Sequence, residues 1–211
     1  MSDPVTEPSS GFFSAAYRQK PPWDIGEAQP ALTALFDEYP PAGPALDAGC
    51  GTGTLVFALA QRGLTVLGVD TASTAINQAV DAAKLLPPAV AERVEFRAGD
   101  ALHPSQLDAA PFATIADCGF LHLFGQPERD QYALDMAKAL APGGRYYVLG
   151  FAFDAPMAAM PLRVGEDELR ARFTPERGWK ILAARPSQFA LSGPRRTVPA
   201  TIACIERITH P

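Results

Sequence analysis

An α/β protein with a doubly wound, mostly parallel sheet is predicted from three features of the chain. Short apolar runs alternate with helical patterns from Pro44 onward, the rhythm that lays parallel strands in one sheet with helices on its faces. Four of these runs end in an aspartate, at Asp47, Asp70, Asp100 and Asp117. A turn rich in glycine, Gly49-Cys50-Gly51-Thr52-Gly53, stands where the first run gives way to a helix. Glycine allows tight turns and close backbone approach at an entropic cost, so three on alternate positions point to a ligand.

Taken in order, residues 1–10 are rich in Pro, Ser and acidic side chains and read as a disordered tail. Residues 11–211 read as a single domain. Its aromatic N-terminal segment, residues 11–28, leads into a helix from Gln29 to Tyr39. Pro30 suits the first turn of that helix, where its missing N–H would have no partner. "PALDAG" is the first strand, Thr54 to Arg62 a helix stopped by Gly63, and "LTVLGVD" the second strand. The helix "STAINQAVDAAKLL" follows and is broken at Pro87-Pro88, before a third strand, "RVEFRAGD", that ends at Asp100. "FATIADCGF" is the fourth strand. "PERDQYALDMAKAL" is a helix closed by "APGG", and "RYYVLGF" is the fifth strand. After a short helix at Glu166 to Phe173, "GWKILAARPSQ" and "TVPATIACIERI" are two strands. The linker between them, "FALSGPRRT", is too short for a crossover helix, so they form an antiparallel hairpin.

The composition narrows the function classes. Apolar residues make up 47% of the 211 and charged ones 19%, which suits a globular domain. The net charge of −5, with no basic run beyond Arg195-Arg196, argues against nucleic acid as a partner. No stretch approaches the roughly 18 consecutive apolar residues of a membrane span. The polar, acidic start is the opposite of a secretory signal. Cys50, Cys118 and Cys204 are widely spaced and odd in number, matching neither a disulfide framework nor a zinc pattern. Reduced thiols in the cytoplasm, and no metal, are the expectation.

An aspartate at one strand end is a common turn former or helix cap. Four of them together with the glycine turn mark the edge of an open α/β sheet where ligands bind. Asp70, at the end of the second strand, can accept both hydroxyls of a ribose. That admits a dinucleotide or S-adenosylmethionine. A dinucleotide turn reads G-x-G-x-x-G and seats a pyrophosphate. Here the pattern is G-x-G-x-G with Asp47 two residues before it, and an acid so close suits the ammonium and sulfonium of S-adenosylmethionine better.

"LDAGCGTG", "VLGVDTA", "RAGDA", "IADCGFLHLF" and "LAPGGRYYVLGF" resemble the successive motifs of class I S-adenosylmethionine-dependent methyltransferases. The likeness runs from Leu46 to Phe151, half of the chain. It implies a Rossmann-like, seven-stranded, mostly parallel sheet with a C-terminal antiparallel hairpin, and S-adenosyl-L-methionine as cofactor. By position it implies that Asp47, Gly49, Cys50, Gly51 and Gly53 hold the methionine moiety. Asp70, with Thr71 beside it, would take the ribose, and Asp100 with Ala101 the adenine. Asp117 and Cys118 would lie beside the amino-acid end and the methyl. "YRQKPPWDIGEAQPAL" is similar to thiopurine-type small-molecule methyltransferases, and to actinobacterial, especially mycobacterial, enzymes that methylate heterocyclic toxins such as alkylquinolones. This implies that Trp23 and Gly26 belong to a segment, within residues 11–40, that covers the cofactor. Residues 44–151 would be the cofactor-binding core and 152–175 a lid over the substrate.

Methyl transfer from a sulfonium is an in-line displacement that needs alignment and exclusion of water rather than a metal. An acceptor that must lose a proton is helped by a base. The candidate catalytic residues are His122, Asp117 and Tyr17. His122 stands first because an unperturbed imidazole titrates near neutral pH, although a lone His in an apolar run is often a satisfied core residue. Phe12, Phe13, Tyr17, Trp23, Phe120 and Phe124 are the expected pocket walls, whose faces suit a flat apolar substrate. The expected partner is a small aromatic molecule, quinolone-, flavonoid- or phenol-like, taken by a monomer or homodimer. The alternatives are a cofactor-binding protein without catalysis, or a nucleic-acid methyltransferase. The second is disfavoured by the charge, and by "DCGF" where amino-methylating enzymes of that kind carry Asn/Asp-Pro-Pro-aromatic.

Overall fold

The computed structural model describes residues 10–109, 111–153, 162–194 and 196–209. Helix α1 (Ser10–Ala16) and α2 (Pro30–Glu38) precede β1 (Ala45–Ala48), α3 (Thr54–Gln61), β2 (Val66–Asp70), α4 (Ser73–Ala83), α5 (Pro88–Ala91) and β3 (Val94–Ala98). Then come β4 (Phe112–Cys118), α6 (Gln126–Ala139), β5 (Leu140–Phe151), α7 (Glu166–Arg172), β6 (Trp179–Leu191) and β7 (Arg196–Arg207). The strands form one seven-stranded sheet in the order β3-β2-β1-β4-β5-β7-β6. β1 to β5 are parallel, while β7 runs antiparallel to both of its neighbours, β5 and β6. Strand order reverses between β1 and β4, where Asp47 lies opposite Ala116 and Ala48 opposite Asp117.

Helices cover both faces of the sheet, so its central strands are buried on both sides and lack a polar alternation. All four residues of β1 are buried. The adjacent residues Tyr146 and Tyr147 of β5 belong to opposite cores. Tyr146 packs in the cluster that holds Tyr132 and Met136 of α6, Tyr147 in the one that holds Leu35 and Phe36 of α2. This is the two-residue period of a strand.

Several expected boundaries shift. β3 ends at Ala98, so Asp100 stands in the following loop, exposed, where its carboxylate accepts the Leu102 N–H at 2.8 Å. α4 ends at Ala83, short of Pro87-Pro88, and Pro88 opens the short α5. After α6, Leu140 already pairs with Phe112, and a register shift follows before Arg145 pairs with Thr114. The hairpin strands are longer than the linker composition suggested, with Phe189, Ala190 and Leu191 paired in β6. Of the expected tail, 1–9 lie outside the described residues and Ser10 begins α1. Residues 154–161 of the expected lid lie outside them as well.

Candidate active site

The carboxyl ends of β1, β2 and β4 meet the glycine turn at the reversal of strand order. Gly49 (φ +71°) and Gly51 (φ +52°) sit in a backbone region that side chains rarely adopt. Space closes the choice further: a Cβ on Gly49 would fall 2.7 Å from the Phe120 ring, and one on Gly51 2.5 Å from the Tyr17 hydroxyl. Gly53 precedes α3 and abuts the Phe96 ring. Asp70 closes the turn from below. Its Oδ2 accepts the Gly51 N–H at 2.8 Å and its Oδ1 the Ala72 N–H at 2.8 Å.

Among the described residues, two adjoining cavities beside this turn share Tyr17, Gly49 and Cys118. One, with about 470 Å³ of empty space including its mouth, is lined by Asp70, Thr71, Gly99, Ala101, Phe13 and Phe120, among others. The other, about 480 Å³ on the same measure, is lined by Asp47, Cys50, Thr52, Trp23, Gln29 and Phe189, among others. Asp47 is 1% exposed, and its Oδ1 accepts no hydrogen bond among the described residues. Burial, with Asp117 and Asp70 nearby, holds its carboxyl well above the usual range. A buried acceptor without a donor is costly in a folded chain, and it faces the glycine cradle.

The N-terminal segment folds onto the turn. The Trp23 indole N–H donates to the Tyr17 hydroxyl at 3.2 Å, and the Thr52 hydroxyl donates to Asp24 at 2.9 Å. Gly26, held by its N–H to Asp24 at 2.8 Å, lines a neighbouring groove with Tyr17 and Thr52 rather than either cavity. Burial and the Asp70 charge push the Tyr17 phenol up, so it stays protonated.

Asp117 and His122 are placed differently from the sequence expectation. Asp117 is fully buried and works within the fold. It accepts the Phe120 N–H at 2.8 Å, the Leu121 N–H at 3.0 Å and the Tyr146 hydroxyl at 2.8 Å, and lines neither cavity. Burial pushes its carboxyl up to about 7 against these bonds. His122 is 5% exposed and also lines neither cavity. Its Nδ1 accepts the Phe151 N–H at 3.3 Å, and burial beside Arg129 drives its imidazole down to about 3. That makes it a satisfied core histidine and a weak base. Asp100 lines neither cavity, whereas its neighbours Gly99 and Ala101 line the first. Of the expected walls, Phe13, Tyr17, Trp23 and Phe120 line the cavities, while Phe12 is 51% exposed and Phe124 packs against Phe120 from behind. Arg195 lies outside the described residues.

Sequence reasoning missed Gln29, Thr52 and Phe189. Gln29 is buried, and its side-chain amide bonds the Ala190 backbone both ways, donating at 2.9 Å and accepting at 2.8 Å. A polar residue just ahead of a helix gave no hint of that distant partner, and Phe189 was hidden in a loop-like composition. Among the described residues, no group of three or more His, Cys, Asp or Glu side chains is placed to hold a metal ion, and no helix is long and apolar enough to cross a membrane.

Residues 45–144 match the model of a methyltransferase domain. The 2-heptyl-1-hydroxyquinolin-4(1H)-one methyltransferase of Mycobacteroides abscessus is 35% identical over 180 residues, covering 79% of this chain and 76% of that one. A probable thiol methyltransferase of Arabidopsis thaliana is 30% identical over 194 residues, covering 91% and 83%. A structure solved for the conversion of a disulfide bond into a thioacetal group during echinomycin biosynthesis superposes with a TM-score of 0.79. It is 30% identical, and the match covers 94% of this chain and 92% of that one. The cleft of this chain lies at the strand-order reversal beside the Asp47 to Gly53 turn, and with these relatives the chain belongs to the S-adenosylmethionine-dependent small-molecule methyltransferases.

Proposed function

We propose that the protein transfers a methyl group from S-adenosylmethionine to oxygen or nitrogen of a small aromatic heterocycle of the quinolone kind. The observation that carries the cofactor assignment is the buried Asp47 carboxyl, whose Oδ1 has no partner among the described residues, beside a glycine turn on which a Cβ would collide with Phe120 and Tyr17, a site that fits a cationic ligand. When bound, the cofactor supplies an electrophilic methyl on a sulfonium. The chain's own residues do the rest. Asp47 and the turn from Gly49 to Gly53 receive the methionine moiety. Asp70 keeps lone pairs for ribose hydroxyls, because a carboxylate has about four acceptor positions and two are used. Thr71, Gly99 and Ala101 border the adenine side, and Cys118 stands between the two cavities. Tyr17 and Trp23 cover the turn and exclude water.

With Asp117 and His122 engaged in the fold, the acceptor's own acidity supplies the reactive anion. This favours N-hydroxy heterocycles and phenols over alcohols. The 35% identity to a hydroxyquinolone methyltransferase supports this class. Sulfur acceptors are a second reading, favoured by the 30% identity to a probable thiol methyltransferase.

Mass spectrometry of reactions with S-adenosylmethionine and a panel of hydroxyquinolones, flavonoids, phenols and thiols tests both. Addition of one methyl to a hydroxyquinolone supports the first reading. Methylation confined to thiols replaces it with the second, and no methylation of any acceptor overturns both.

A further inference from the structure

Beyond the walls expected from sequence, one row of rings is unassigned. Phe189 of β6 lines the cavity that holds Asp47, Trp23 and Cys118. Its ring meets Phe151 edge-on at 5.0 Å, and Phe151 in turn stacks on Phe153 at 5.3 Å with 12° between planes. His122 leans on Phe151 at 4.6 Å and accepts its backbone N–H. Phe189 is 2% exposed whereas Phe151 and Phe153 are only partly buried, so the row leads from the cavity wall toward the surface. It starts at the carboxyl end of β4, since a Cβ on Gly119 would fall 3.6 Å from the Phe189 ring.

We propose that Phe189 and Phe153 are the specificity-determining walls of the acceptor site and take the flat, apolar ring face of the acceptor. This rests on the methyl-transfer reading above and names the side of the cleft its substrate uses. Ring faces and edges offer offset and T-shaped contacts to such an acceptor. The row contains no charge, because buried His122 stays neutral. It is also fixed in place. Gln29 grips Ala190, the residue after Phe189, through both its N–H and its C=O, and the Ser192 N–H donates to the Pro22 carbonyl at 2.7 Å. The hairpin that carries Phe189 is thereby fastened to the segment that carries Trp23, and walls so held bind a rigid ring without an ordering cost.

A purely structural Phe189 makes a different prediction: stability falls when it is altered, and ligand preference does not. The test uses the whole chain saturated with S-adenosylhomocysteine, with 2-heptyl-1-hydroxyquinolin-4(1H)-one as the probe and calorimetry as the readout. Phe189→Leu keeps most of the apolar volume, and Phe153→Ala alters a partly exposed ring. The expected result is about tenfold weaker probe binding in each variant, with S-adenosylhomocysteine affinity unchanged within about twofold. Equal probe affinity in wild type and variants overturns the proposal, as does a loss confined to S-adenosylhomocysteine. Failure of the wild type to bind the probe also overturns it. Methyl transfer to the acceptor panel is scored separately, so either reading can fail alone. Should Phe189→Leu not fold, Phe153→Ala decides.

Discussion

At Gly51 the backbone carries φ +52° and the Tyr17 hydroxyl occupies the space of a Cβ. Gly51→Ala therefore combines about 1–3 kcal/mol of backbone strain with displacement of Tyr17. Cofactor affinity measured by calorimetry is expected to fall at least about tenfold. Two buried titratable groups act on stability in opposite directions. The His122 imidazole is held at about 3 against 6.5 when unfolded, so the unfolded chain binds more protons between those values. Its contribution rises as pH climbs from about 3 to 6.5. Asp117 is held at about 7 against 3.8, so the native state keeps that proton longer, and its contribution falls from about pH 4 to 7. The two nearly offset between about pH 4 and 6.5. Urea midpoints of His122→Asn across this range should fall with rising pH more steeply than those of the wild type; parallel curves would contradict the assignment. The same variant should leave the pH dependence of kcat following the acceptor's ionisation, because His122 lines neither cavity.

Among the elements, the β6–β7 hairpin and the N-terminal segment are coupled most directly, through Gln29. Gln29→Ala removes the partners of the half-buried N–H and C=O of Ala190, a loss of about 1 kcal/mol. Hydrogen exchange should show faster exchange at Ala190 and Ser192, with slower change elsewhere, and a uniform effect would count against a local clamp. The alternation of strands and helices was legible from Pro44 onward because buried parallel strands show as apolar runs between helical patterns. The end of β6 was not, because Ser192, Gly193 and Pro194 give the stretch after Gln188 the composition of a turn while cross-strand pairing with β7 keeps Phe189 to Leu191 extended. Asp100 illustrates the opposite error. It closes an apolar run in sequence, yet β3 ends at Ala98 and the aspartate caps a loop.

Over the whole molecule, α6 and α7 are joined by a buried charge network. Arg129, 1% exposed, donates to both oxygens of Glu168 at 2.7 and 2.8 Å and to the Leu121, Phe124 and Arg163 carbonyls at 3.1, 2.9 and 3.0 Å. Arg172 donates to Glu168 at 3.1 Å and pairs with Asp130. Glu168→Gln leaves two largely buried guanidinium groups short of a counter-charge, which costs about 3–5 kcal/mol. At this chain length that corresponds to a fall in Tm of about 10 °C, read by calorimetry. An unchanged Tm would show the network to be redundant.

The residues by themselves determined the α/β architecture, the glycine turn and the place of Asp47 and Asp70, because each depends on local spacing that apolar periodicity and glycine chemistry expose. Only the tertiary structure decided which side chains face the cleft. Asp117 and His122 look reactive in sequence, yet the 120–123 turn and β5 wrap them in hydrogen bonds and remove them from solvent. Phe189 and Gln29 look ordinary, yet pairing between β6 and β7 and a contact spanning most of the chain bring them to the cavity wall. Whether a polar group is free to act depends on its burial and its partners, and those come from residues far away along the chain.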